Sequence, residues 1–84
     1  MITARQSRAA RALRGWTQET LADKSQVSLT ALKRLESDSG LDVYETTRDL
    51  VRRAFESAGI VLLSTEKGEG VLRLHEQKIR LPRP

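Results

Sequence analysis

The chain has 84 residues, of which 38% are hydrophobic and 31% charged, and its net charge is +4. This length allows one modest hydrophobic core, so we expect a single domain, with dimerisation as a way to complete it. The chain has no cysteine and one histidine, which excludes disulfides and thiolate metal sites and leaves too few ligands for a zinc cluster.

The first predicted helix covers residues 3–14, where arginine and alanine favour helix and Gly15 follows as a stop signal. Its arginines recur every three residues, which is typical of a solvated face. The same spacing permits Arg8 and Arg14 to lie near nucleic-acid phosphates. Trp16 comes next, and we expect it to pack against the following helix as a hydrophobic staple rather than to stack on bases.

Residues 17–36, TQETLADKSQVSLTALKRLE, predict two short helices joined by a tight turn. Thr17 is expected to cap the first, over residues 18–24, and Ser28 to cap the second. Val27 is expected to be buried between the two helices. This arrangement leaves the first turns of the second helix exposed. The side chains expected to project there are Ser28, Leu29, Thr30, Lys33 and Arg34.

This stretch resembles the helix-turn-helix of the Xre family, the Cro and CI repressor-like regulators, and a looser similarity extends over residues 2–58. The matching positions are Gln18, Leu21, Ala22, Val27, Ser28, Leu32, Leu35 and Glu36. The resemblance implies a mainly α, lambda-repressor-like bundle of about four helices that binds double-stranded DNA. The chain departs from the family at Gln26, where glycine is usual. Gln26 must therefore accept backbone strain or use a different turn.

The resemblance also implies roles for individual side chains. A basic residue at the place of Arg11 pairs with the acid that ends the recognition helix, here Glu36, and fixes the first helix to the third. Thr17 lies at the positive end of the second helix, which suits phosphate. The side chains implied to read bases are Gln18, Ser28, Leu29, Thr30, Lys33 and Arg34.

A fourth helix is predicted after a turn at residues 37–40. Val43 and Tyr44 are expected to make apolar contacts before it, and Thr46 or Thr47 to cap it. Its apolar face, from Leu50 to Ala58, has helical spacing and should complete the core.

The segment 59–76 predicts a β-hairpin with β-prone runs at residues 60–63 and 71–74 and a mobile tip between them. An isolated hairpin is marginal in water, so it must cover the chain's own helices or pair with another chain. We favour pairing, and we divide the chain into a helix-turn-helix domain (1–58), a dimerisation hairpin (59–76) and a flexible tail (77–84). The side chains expected at the dimer interface are Ile60, Leu62, Leu72 and Leu74.

These patterns favour a DNA-binding transcriptional regulator, a repressor that binds palindromic half-sites as a homodimer. The alternative is an antitoxin or anti-activator whose main partner is a protein. Residues 28–34 contain two basic residues and no acidic one, which favours DNA. We expect no enzyme activity and no cofactor or metal, because a cysteine nucleophile, a phosphate-binding glycine loop and a second histidine are lacking. No apolar run approaches the roughly 20 residues of a membrane span, so we expect a cytoplasmic protein.

Overall fold

The computed structural model describes residues 1–37 and 42–75. Four helices are followed by two strands, which confirms the predicted fold class. The elements are α1 (Ala4–Arg14), α2 (Gln18–Ser25), α3 (Leu29–Glu36), α4 (Glu45–Ser57), β1 (Ile60–Thr65) and β2 (Gly68–Arg73). Residues 38–40 of the turn predicted at 37–40, and the predicted tail at 77–84, lie outside the described residues. Over the described ranges, no helix has both the length and the apolar character needed to cross a membrane.

Hydroxyl side chains begin the first three helices. The Thr3 hydroxyl accepts from the Gln6 amide, and the Gln6 side chain accepts in return from the Thr3 amide, both at 3.1 Å. Thr17 and Ser28 accept from amides three residues ahead, at 3.1 and 3.0 Å. Each bond satisfies an N–H group that has no partner inside its helix. The caps predicted at Thr17 and Ser28 are therefore confirmed.

The start of α4 differs from the prediction. The Tyr44 carbonyl accepts from the amides of Thr47 and Arg48 at 3.0 and 3.2 Å, so the first helical turn already includes Thr46 and Thr47. Tyr44 is the N-cap and makes no side-chain capping bond. The prediction that Thr46 or Thr47 caps α4 is wrong, because backbone groups alone start this helix.

One hydrophobic core joins all four helices to the first strand. Its members are Ile2, Ala10, Leu21, Ala22, Leu32, Leu35, Val51, Phe55 and Ile60. Trp16 is half-buried beside this core, and its ring stacks on Phe55 of α4 with centroids 5.6 Å apart. Trp16 therefore packs as half-core, as predicted, although its ring partner belongs to α4 rather than to α2.

The hairpin is tighter than the sequence predicted. β1 and β2 pair in antiparallel register as far as Thr65 and Gly68, so only Glu66 and Lys67 lie between the strands. The seven-residue mobile tip was predicted wrongly, because its polar and glycine residues are mostly paired in the ladder. Gln6 of α1 fixes the hairpin to the helices by donating to the carbonyls of Leu63 and Gly70, at 2.8 and 3.1 Å.

The strand register also changes the set of outward-facing side chains. Paired residues share one face of a hairpin, and successive residues alternate between faces. Ile60 is only 2% exposed, and Leu62 packs with Val71 against the core. Ile60 and Leu62 therefore cover the chain's own helices, and their prediction as a dimer surface was wrong. The residues on the opposite face are Val61, Leu63, Leu72 and Leu74, and we call this set the outer hairpin face.

Candidate nucleic-acid interface

The turn between α2 and α3 has a left-handed residue at its centre. Gln26 adopts φ 58°, the one positive φ at a non-glycine residue in the described ranges. Its amide donates to the Asp23 carbonyl at 3.3 Å, and the Val27 amide donates to the Ala22 carbonyl at 3.1 Å. These bonds satisfy the end of α2 and compensate for the strain of a side chain in this conformation. The chain thus keeps a left-handed turn here without glycine.

The first two turns of α3 present a polar face to solvent. Ser28, Thr30, Lys33 and Arg34 are exposed, and no carboxylate lies between residues 28 and 34. No ion pair involves Lys33 or Arg34 within the described part of the chain. Leu29 is half-buried and packs against the core, as does Val27, so both help to seat the start of α3. This face offers hydroxyl, ammonium and guanidinium groups, which are donors suited to base edges and phosphates.

Glu36 anchors the other end of α3. Its carboxylate, in a residue only 5% exposed, accepts from the Arg11 Nε at 2.9 and 3.0 Å and from the Arg11 Nη2 at 2.8 Å. The Ser7 hydroxyl donates at 2.6 Å and the Gln18 side-chain amide at 3.1 Å. The third helix is therefore held to both α1 and α2 through one buried acid.

The same contacts set the charge state of Glu36. Burial acts to raise the pKa of its carboxyl, but the hydrogen bonds from Arg11, Ser7 and Gln18 and the charge of Arg11 act in the opposite direction and prevail. The net effect is a pKa below the ordinary value for glutamate. The anion is therefore the stable form in the folded protein.

The residues predicted to contact phosphate fall in different places. Thr17 is exposed at the start of α2, where its hydroxyl caps the helix. Arg8 donates to the Glu36 backbone carbonyl. Gln18, which was implied to read bases, is half-buried and is also bonded to Glu36. Arg14 lies over the Trp16 ring, 5.4 Å from its centroid. The structure thus brings Gln18 and Arg8 to the anchor of α3 and places Arg14 beside α4.

A groove next to the α3 face contains residues that the sequence did not single out for binding. It is lined by Ser28, Thr30, Ala31, Arg34, Asp42, Val43, Tyr44 and Thr47, and it encloses about 240 Å³. Tyr44 is 84% exposed there, so the prediction that it packs as an apolar residue is wrong. Its position immediately before a helix was the available signal, because a tyrosine at an N-cap lacks the short side-chain oxygen that accepts from the first helical amides.

A family model described as helix-turn-helix matches residues 8–43. The matched segment is similar to the helix-turn-helix of the Cro/CI-like regulators of the Xre type. The match covers the last part of α1, both helices of the motif and the anchor at Glu36. It supports a DNA-binding transcriptional regulator with double-stranded DNA as its partner. Comparisons with curated proteins and with solved structures gave no significant match.

Proposed function

We propose that this helix-turn-helix protein is a repressor that binds inverted DNA half-sites as a homodimer and reads bases with the first turns of α3. The observation that carries the proposal is the polar face of α3, which is exposed, free of acidic groups and fixed at its far end by the buried Glu36. A recognition helix needs both properties, since its side chains must reach base edges in the major groove from a fixed angle.

The exposed side chains of this face divide into proposed base contacts and proposed phosphate contacts. We assign Arg34 and Lys33 as donors to guanine O6 and N7, and Thr30 as a contact to a thymine methyl group. Ser28 and the start of α2 at Thr17 suit phosphate oxygens, because helix N-termini present unpaired amides. We add the phenol of Tyr44, which shares the groove beside α3, as a backbone contact.

Selection from a pool of duplexes with a randomised central region tests the proposal. We expect the wild-type protein to enrich an inverted repeat whose half-sites lie about 34 Å apart, one helical turn of DNA. Enrichment of a single half-site would contradict the dimer. Recovery of no preferred sequence would contradict base reading altogether.

The outer hairpin face is the surface that we propose for the homodimer. Leu63, Leu72 and Leu74 are 44%, 49% and 53% exposed, and Val61 lies beside them on the same face. These side chains form a smaller surface than the roughly 800 Å² per partner of a standard interface. We therefore expect weak self-association in the absence of DNA. Binding of two copies to adjacent half-sites should strengthen this association by linkage.

The double variant Leu63→Gln and Leu72→Gln tests this surface. It keeps the core residue Ile60, whereas deletion of the whole hairpin would open the core. We expect the variant to stay folded, to sediment as a monomer at concentrations where the wild type dimerises, and to bind the inverted repeat more weakly. Leu50→Gln is the matched control, because Leu50 is an equally exposed leucine on α4. An unchanged mass for the double variant would refute the assignment.

A further inference from the structure

A basic groove lies between the C-terminal ends of α1 and α2 and one side of α4. It encloses about 510 Å³, and its described lining residues are Arg14, Trp16, Lys24, Ser25, Gln26, Leu50, Arg53, Ala54, Ser57 and Ala58. No α3 residue is among them, so the groove is separate from the proposed base-reading face. Its volume falls within the range of roughly 300–1,000 Å³ that small-molecule sites occupy.

Two positive groups converge on the tryptophan of this groove. The Arg14 Cζ lies 5.4 Å and the Lys24 Nζ 5.2 Å from the Trp16 ring centroid. Neither side chain has a salt bridge within the described residues, and no lining residue carries a carboxylate. Arg53 is a third cation, partly balanced by Asp49 at 2.9 Å. Like charges around one ring repel one another, and an anion bound beside them would relieve this repulsion.

One of these cations also has an unused donor. The Arg14 Nε is buried and has no hydrogen-bond partner in the described structure. Buried polar atoms are nearly always satisfied, and a bound ion or water is one of the partners that accounts for an exception. A carboxylate or phosphate oxygen is the acceptor that a guanidinium binds best.

From the converging cations and the unused donor we infer that the groove is a binding site for an anionic small molecule, whose carboxylate or phosphate group binds Arg14 and Lys24. The small side chains of Ala54 and Ala58 and the exposed Leu50 supply an apolar wall for the rest of the ligand. Ser25 and Gln26 line the same groove and form the turn that leads into α3. A bound anion thus contacts the segment that orients the base-reading helix.

Trp16 is the sole tryptophan of the chain, so its fluorescence reports on this groove directly. Sodium pyrophosphate and sodium succinate are the probes, each titrated against sodium chloride at equal ionic strength. We expect a saturable fluorescence change with at least one probe, together with saturable shifts of the Gln26 and Val27 amide signals in NMR spectra. Stronger binding of pyrophosphate would identify phosphate esters as the ligand class, and stronger binding of succinate would identify carboxylates.

Lys24→Gln is the decisive variant, because Lys24 is exposed and its loss leaves the core intact. We expect it to raise the half-saturating concentration about fivefold or more, since a charge-assisted contact is lost. Lys67→Gln in the hairpin turn removes the same charge away from the groove and should leave the titration unchanged. A linear response, an equal response to chloride, or equal behaviour of the two variants would overturn the proposal. Because the measurement needs no DNA, the result for the anion site is independent of whether the proposed DNA-binding function is correct.

Discussion

Glu36 illustrates how far one residue could be understood from the sequence. The family resemblance pointed to a pair with Arg11, and the structure shows these two side chains in contact. The hydroxyl of Ser7 could not be predicted, because Ser7 lies 29 residues away in the chain and reaches Glu36 only after the helices pack. Gln18 was interpreted as a base reader, yet its amide also donates to this carboxylate. A polar residue near a motif does not reveal which of two partners it will meet.

The lowered pKa of Glu36 predicts an acid-dependent loss of stability. A carboxyl whose folded pKa is below its unfolded pKa stabilises the fold above the unfolded value, and this contribution is lost as the pH falls through the folded pKa. The loss should therefore begin near the ordinary glutamate pKa of about 4.3 and continue below it. We expect Glu36→Gln to be less stable than the wild type at pH 7 but to show a shallower decline in this acidic window.

Urea unfolding at a series of pH values measures this effect. Glu66→Gln is the control, because Glu66 is an exposed residue of the hairpin turn. If Glu36→Gln declined as steeply on acidification as the control, the buried anion would not be the source of the pH dependence.

At the scale of elements, the helices were easier to predict than the hairpin. Thr17, Ser28 and Gly15 carry local signals that act within one helical turn, and α1, α2 and α3 begin and end within one residue of the predicted places. The run Ile60 to Leu63 has no alternation between apolar and polar residues, so the sequence could not show which side chains face inward. The tight turn at Glu66 and Lys67 sets the register, and the register decides the faces.

The turn between α2 and α3 carries a prediction of its own. A side chain at left-handed φ costs roughly 1–2 kcal/mol, which glycine avoids at the expense of a more flexible unfolded chain. We expect Gln26→Gly to raise the free energy of unfolding by about 0.5–1 kcal/mol and Gln26→Ala to give no such gain, because alanine keeps the strain. Thermal and urea unfolding of the three proteins would measure it. A destabilised glycine variant would mean that Gln26 makes contacts that outweigh the strain.

At the scale of the whole molecule, the position of the charges carries more information than their sum. Asp49 and Glu56 pair with Arg52, and Asp49 also pairs with Arg53, so these two acids of α4 balance the basic groups beside them. The cations of α3 have no such partners within the described residues. A net charge of +4 therefore understates the positive potential at the proposed interface.

This distribution predicts a steep dependence of DNA affinity on salt. Each neutralised phosphate contributes about −0.9 to the slope of log affinity against log salt, so a dimer with about 6 to 8 phosphate contacts should show a slope near −5 to −7. Fluorescence anisotropy of a labelled duplex over a range of salt measures it. A flat response would contradict an interface built on these cations.

We propose that the exposed face of α3 reads bases, and the affinities of the wild type and of Arg34→Ala for two duplexes test this claim. One duplex carries the selected inverted repeat and the other the same bases in scrambled order, at one fixed salt concentration. We expect the wild type to prefer the inverted repeat by about 10³-fold or more. Arg34→Ala should lose about 1–3 kcal/mol of this preference per base contact while keeping the wild-type melting temperature. Equal weakening on both duplexes, or an unchanged preference, would contradict the claim.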